Sequence, residues 1–269
     1  MGDFVVPPPE TVVVVKSFDE AAVENIGQPI RRKEDQRLLT GAGRFTDDFT
    51  LPDQSFAAMV RSPYPHATIN GIDTAKALAM PGVLTVITGL DIQEAGLGPI
   101  PHNPVPSTNY DLKLRAPDGT KPAIDPHYLL PVDRVRHVGE AVAMVVADSM
   151  QQAMDAVEAI YVDYSVLPHV TKSKDAILPN APQLYEHIEN NVLVDTEFGN
   201  AASTEKAFAT ATYVVEHEFH IQRVTGVTME PRGALGSYDA DKGLFTLVAG
   251  SGGAVRQQSE IAAVLGIDT

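Results

Sequence analysis

Residues 135–168, VRHVGEAVAMVVADSMQQAMDAVEAIYVDYSVLP, decide the fold class. Val142 to Val146 form an apolar run long enough for a buried strand. Asp148 and Ser149 follow, and their side chains suit the free N–H groups that open a helix. Ala153, Met154, Val157 and Ile160 then recur at helical spacing on one face. IYVDYSVLP, from Ile160 to Pro168, alternates as a half-buried strand. Strand, helix and strand at this spacing read as a crossover unit and predict a mixed α/β domain.

The flanking segments extend that domain. Ser55–Arg61 (SFAAMVR) and Val83–Thr88 (VLTVIT) are bounded by Pro and Gly and rich in strand formers. DTAKALAM between them places an Asp cap before good helix formers, and Pro81-Gly82 ends the helix. Residues 91–130 carry many Pro, Gly and Asn and read as a long excursion, a form used for function or for holding a neighbouring subunit. Further on, STEKAFATA predicts a short helix capped by Ser203 or Thr204. YVVEHEFHIQRV has period-2 alternation and predicts a strand. Tyr213, Val215, His217, Phe219 and Ile221 fall on one face, and Val214, Glu216, Glu218, His220 and Gln222 on the other. GALGSYDADKGLFTLVAG reads as a hairpin closed by an Asp/Gly turn. The expected organisation is an arm over 1–26, an α/β domain over 27–172 and a second unit over 173–269.

Bulk properties narrow the partners. A net charge of −15 over 269 residues disfavours nucleic acid and anionic membrane surfaces, both of which call for concentrated positive charge. The sequence has no cysteine, which excludes disulfides, thiolate metal sites and iron–sulfur ligation by this chain. VVVV near the start is too short to span a bilayer and follows no basic segment, so no secretory leader is expected and a cytoplasmic location is the default.

Few polar motifs carry chemistry on their own. His217 and His220 in HEFH would project from opposite faces of a strand and could not share one ion. Asp47, Asp48 and Asp53 lie among turn formers, and RRKEDQR (Arg31 to Arg37) mixes signs as a solvated face does. His66, His102, His127, His137 and His169 have no partnered acid or nucleophile at a readable spacing. The turn AGSGGAVR differs. It sets Gly250, Ser251, Gly252 and Gly253 between a strand over 244–249 and a helix starting near Ala254. Glycines admit a ligand close to the backbone, and free N–H groups at a helix start favour an anion. Val255 occupies the third glycine position of a dinucleotide fingerprint, so that motif fails, and no Lys-Ser or Lys-Thr supplies a P-loop. A plain tight connection and a phosphate cradle both fit the turn.

Residues 27–89 nevertheless resemble the opening of a known family. The marks are Arg32-Lys33-Glu34-Asp35 followed by Leu-Leu-Thr-Gly (38–41), GRFTDD (43–48), RSPYPHA (61–67) and MPGV (80–83). Residues 135–168 match the same family's next stretch, and AFATATYVVEHEFHIQRVTGVTMEPRGALGSYDADKG (207–243) matches a later one, with MEPRG (229–233) its most recognisable string. The family is that of the large, molybdenum-cofactor-binding subunits of xanthine dehydrogenase, aldehyde oxidase and aerobic carbon monoxide dehydrogenase. The resemblance implies an α/β hammerhead domain followed by the first part of a molybdopterin-binding domain. It also implies oxidative hydroxylation of an N-heterocycle, an aldehyde or a similar small molecule. The molybdenum–molybdopterin cofactor would be shared with the polypeptide carrying the rest of the large subunit, while FAD and 2Fe-2S centres would sit on partner subunits. On this reading Gly250, Ser251, Gly252 and Gly253 line one wall of the cofactor site, and the chain is inactive alone, being either one part of a split subunit or a fragment. The family's catalytic glutamate has no match here, and Glu230 does not inherit its role. Many members carry a Thr-Gln pair where this sequence has Ala249-Gly250, which puts a carbon monoxide oxidation reading in doubt. A non-catalytic scaffold of the same fold is the other reading that this departure allows.

Overall fold

The computed structural model describes residue 27, residues 31–101, residue 119, residues 122–222 and residues 224–269. The expected arm over 1–26 and the centre of the 91–130 excursion, including His102, lie outside the described residues. In chain order the helices are α1 (Asp35–Leu39), α2 (Ala75–Leu78), α3 (Gly89–Glu94), α4 (Met150–Ala159), α5 (Ser173–Ala176), α6 (Ala201–Thr210) and α7 (Ala254–Leu265). The strands are β1 (Phe56–Arg61), β2 (Ala67–Asp73), β3 (Val83–Thr88), β4 (Arg134–Val135), β5 (Ala141–Ala147), β6 (Tyr161–Val166), β7 (Ala234–Asp239) and β8 (Leu244–Ala249). They form two compact units. One comprises the described residues up to Phe49 with Met229–Ala249, and the other comprises Thr50–Thr228 with Gly250–Thr269.

The larger unit holds two three-stranded antiparallel sheets, ordered β1-β5-β3 and β4-β2-β6. Strand β5 is central, and Val142, Ala143, Val145 and Ala147 are fully buried. Around them pack Ala58 and Val60 of β1, Val86 of β3, Ala77 of α2, and Ala153 and Ala156 of α4. Small side chains on α4 let the helix approach the sheet closely, and excluding this apolar surface from water is the main force holding the unit. Ser149 caps α4 by accepting from the Gln152 N–H at 3.3 Å.

The mixed α/β class holds, but the expected crossover does not. Strands β5 and β6 belong to different sheets. The reason is that β1 and β3 already occupy both edges of β5, so the chain leaving α4 builds β6 against β2 instead. The buried face of α4 also differs by one position. Ala156 is buried and Met154 is half exposed, because Met154 sits a 100° rotation away from Ala153. Strand β2 was not legible: Asn70-Gly71 interrupts its pattern, and the register shifts between Ile69 and Gly71. Helix α2 is a single turn, although Asp73 does accept from the Ala75 N–H at 3.0 Å. Helix α6 is capped by Asn200 rather than Ser203 or Thr204, with Oδ1 accepting from the Ser203 N–H at 2.9 Å. The expected strand over 213–224 is absent among the described residues, which there lack any ladder partner.

In the smaller unit the expected hairpin is present. Strands β7 and β8 pair from Ala234–Ala249 to Asp239–Leu244. Asp239 closes the turn by accepting from the Asp241 and Lys242 N–H groups, with Lys242 Nζ at 2.9 Å from its other oxygen. The resulting bonds hold the Asp239 carboxyl below the usual carboxylate range, Lys242 contributing most. Tyr238 and Phe245 pack across the pair with ring centroids 4.4 Å apart.

Candidate cofactor site

The glycine turn falls where the sequence places it. Strand β8 ends at Ala249 and α7 begins at Ala254, with Gly250, Ser251, Gly252 and Gly253 between them. Helix α7 is anchored at its far end. Ala262 and Val264 are buried, Val264 C=O accepts from the Gly98 N–H at 2.9 Å, and Gly266 ends the helix in the left-handed region at φ 66°. Its first turn is exposed by contrast, and no side chain caps it. A Cβ added at Gly252 or Gly253 would meet nothing within 4 Å, so the space in front of the turn is open. Ser251 Oγ accepts from the Gly253 N–H at 3.3 Å and stiffens the loop from within.

The electrostatics suit an anion. The N-terminal end of a helix carries partial positive charge, and the first turn of α7 holds no acidic residue to cancel it. Arg256 in that turn pairs with Glu260 at 2.7 Å. The residues therefore fit one phosphate-bearing wall of a cofactor and offer no side chain suited to ligating a metal.

The remaining polar candidates do not converge on this turn. His66 is buried, with Nδ1 3.0 Å from the Pro168 carbonyl oxygen, and pins β2 to the end of β6. His137 lies 3.6 Å from Glu140, and His169 Nδ1 lies 3.2 Å from its neighbour's carbonyl at Leu167. Asp48 accepts from the Phe45 N–H as a turn residue does. Among the described residues no cluster of His, Cys, Asp and Glu is arranged to hold a metal ion, and no helix is long and apolar enough to cross a membrane.

One feature was missed from sequence. A cleft of about 620 Å³ opens between α3 and residues 125–140, with Asp125, Arg136, Glu140 and Tyr185 among its walls. Arg136 stacks over the Tyr185 ring at 4.8 Å, and His187 Nε2 lies 3.2 Å from Asp125. Burial pushes the Tyr185 hydroxyl up in pKa, against the pull of Arg136. These partners stand far apart in sequence, so no local spacing signals them.

Comparison with known proteins places this geometry. Residues 40–168 match the aldehyde oxidase and xanthine dehydrogenase a/b hammerhead domain, and residues 184–269 match the molybdopterin cofactor-binding domain. The chain belongs to the large-subunit family of molybdenum hydroxylases. This hydroxylase-family chain is 35% identical over 215 residues to the nicotine 6-hydroxylase large subunit of Paenarthrobacter nicotinovorans, covering 80% of the chain and 24% of that relative. It is 32% identical over 251 residues to the carbon monoxide dehydrogenase large chain of Afipia carboxidovorans, covering 88% of the chain and 29% of that relative. Among solved structures it is similar to quinoline 2-oxidoreductase from Pseudomonas putida 86, with 32% identity, a TM-score of 0.71, and coverage of 88% of this chain and 28% of that one. The chain thus spans roughly a quarter of the length of these relatives. The glycine turn lies inside the stretch matched by the molybdopterin cofactor-binding domain.

Proposed function

We propose that this chain contributes the hammerhead domain and one wall of the cofactor site of a molybdenum hydroxylase. The hammerhead would occupy 27–172 and the cofactor-binding portion 173–269. The observation that carries the reading is the open, uncapped start of α7 behind Gly250–Gly253, within residues matched by a molybdopterin cofactor-binding domain. When bound, the molybdenum cofactor would supply the oxidising centre at which a carbon of the substrate is hydroxylated. The part played by this chain is binding and orientation. Backbone N–H groups of Gly252, Gly253 and the first turn of α7 would receive the cofactor's anionic portion, and the anchored far end of the helix would hold that wall still.

The substrate class follows from the relatives' names: N-heterocycles, as for nicotine and quinoline, or aldehydes, for which the solved relatives include an aldehyde oxidoreductase from Desulfovibrio gigas. Other parts of the cofactor site would come from the rest of a large subunit. Iron–sulfur and FAD centres would lie on partner subunits, in keeping with a cysteine-free chain and a cytoplasmic setting. Ala249-Gly250, standing where many family members carry Thr-Gln, would leave a side-chain gap in the cofactor wall, which favours a substrate bulkier than carbon monoxide. That same gap supports the second reading, a scaffold of this fold that binds no cofactor.

Molybdenum analysis and native mass, measured on material purified from its own host with partners attached, separate the two. Stoichiometric molybdenum in a complex with a further molybdopterin-binding polypeptide is the expected result. A molybdenum-free chain in every fraction leaves the scaffold.

A further inference from the structure

The cleft between α3 and residues 125–140 has the size and the lining of a small-molecule site. Its volume of about 620 Å³ lies within the range that such sites occupy. Ile92, Leu97, Pro126 and Leu130 supply apolar wall, and among the described residues Arg136 is the only lysine or arginine in the lining. Arg136 stacks on the Tyr185 ring, and its Nη1 donates to the Arg134 carbonyl at 3.3 Å. Among the described residues its guanidinium forms no ion pair, and its Nε is buried without a hydrogen-bond partner. A largely desolvated guanidinium with unused donors calls for an acceptor, and the match for its planar fork is a carboxylate.

Three acidic residues also line the cleft, and the sign of the guest depends on how each is engaged. Asp125 lies 3.2 Å from His187 Nε2. Glu140 accepts from the Arg136 backbone N–H and lies 3.6 Å from His137 Nδ1. Asp133 is exposed, where water and salt screen its charge. Burial holds the Tyr185 hydroxyl above its ordinary pKa, so it stays neutral. Arg136 is left as the cleft's charge without a counter-ion.

We infer that this cleft binds a small organic carboxylate with a ring or other apolar body, its anion held by Arg136 and its body lying against Ile92, Leu97 and Leu130. A monoanion suits a single arginine, whereas a phosphate dianion would bring a second negative charge toward Asp125 and Glu140. The Tyr185 ring holds the guanidinium in place beforehand, so less freedom is lost on binding. The inference stands apart from the proposed function, because no residue of the glycine turn lines the cleft.

The test titrates benzoate, benzyl alcohol and benzylamine into this chain alone and into the chain isolated from its host with partners attached, with binding read by ligand-observed NMR. Benzoate is expected to bind both preparations with a dissociation constant of about 1 mM or lower. Benzyl alcohol and benzylamine are expected to bind about tenfold more weakly or not at all. Arg136→Gln is expected to weaken benzoate about tenfold or more, and Arg136→Lys, which keeps the charge but loses the fork, by less. Gln93→Trp tests the place without touching the arginine. Gln93 is exposed on α3 at the cleft wall, so an indole there should block benzoate while circular dichroism stays that of the parent. Benzoate binding unchanged in Arg136→Gln and Gln93→Trp overturns the inference, as does a preference for benzylamine. Absence of saturable benzoate binding overturns it as well. Binding to the chain alone that vanishes when partners are attached also overturns it, since the cleft is then a contact surface.

Discussion

Gly89 shows how much a single residue can be constrained by its surroundings. It opens α3 immediately after the Thr88 cap, and a Cβ there would stand 2.3 Å from the Pro131 carbonyl oxygen. The three nearest atoms, from Pro131 and Leu130, are all backbone, so Gly89→Ala should cost about 1–3 kcal/mol, measured by urea denaturation. His66 is fixed by a different force. Its buried ring satisfies the Pro168 carbonyl, and His66→Leu would strand that oxygen and cost about 1–3 kcal/mol in the same assay. The sequence made neither role visible, because each depends on a partner tens of residues away, 42 for Gly89 and 102 for His66. The glycine turn, by contrast, was legible as local chemistry: consecutive glycines before a helix have few structural uses, and the structure sets them at an exposed, uncapped helix start.

At the scale of elements, periodicity served well wherever a segment's neighbours are close in the chain. Strands β1, β3, β5 and β6, helix α4 and the β7–β8 hairpin fall within the stretches read from pattern and turn chemistry alone. It misled where pairing is non-local. The β5–α4–β6 unit looked like a crossover because sequence cannot report that both edges of β5 are taken. Residues 213–222 have strand alternation without a strand, since a ladder needs a second partner. Two predictions belong here. Val145 is fully buried between β1 and β3, and Val145→Ala should cost about 1.5–3 kcal/mol, read as a lower denaturation midpoint at unchanged slope. Asp91 is held below its ordinary pKa chiefly by the Thr88 hydroxyl and then by the Thr88 N–H. A carboxyl with a depressed folded pKa stabilises above its unfolded value and loses that contribution as pH falls through the folded one. Asp91→Asn should therefore destabilise α3 slightly at neutral pH and converge with the parent as pH falls through the lowered folded-state pKa of Asp91, with a small effect because the pair is exposed. Thermal melts across the acid range check it.

For the whole molecule, what was legible was membership of a family and what that membership requires. The hammerhead and the opening of the molybdopterin-binding domain are present, in sequence order, at roughly a quarter of the relatives' length. The sequence has no cysteine with which to ligate an iron–sulfur cluster. The cleft beside Arg136 and Tyr185 was not legible, because residues 89–97, 125–140 and Tyr185 come together to build it. The central claim is that Gly250–Gly253 form a wall of the molybdenum cofactor site. It is tested most directly by molybdenum per complex in Gly252→Asp against the parent, both isolated with partners attached. Gly252 has open space around its Cβ position, so the substitution places a negative charge in front of the helix without disturbing the packing. A molybdenum content at least tenfold lower, with hammerhead stability unchanged, is the predicted result; full molybdenum occupancy in the variant would contradict the account.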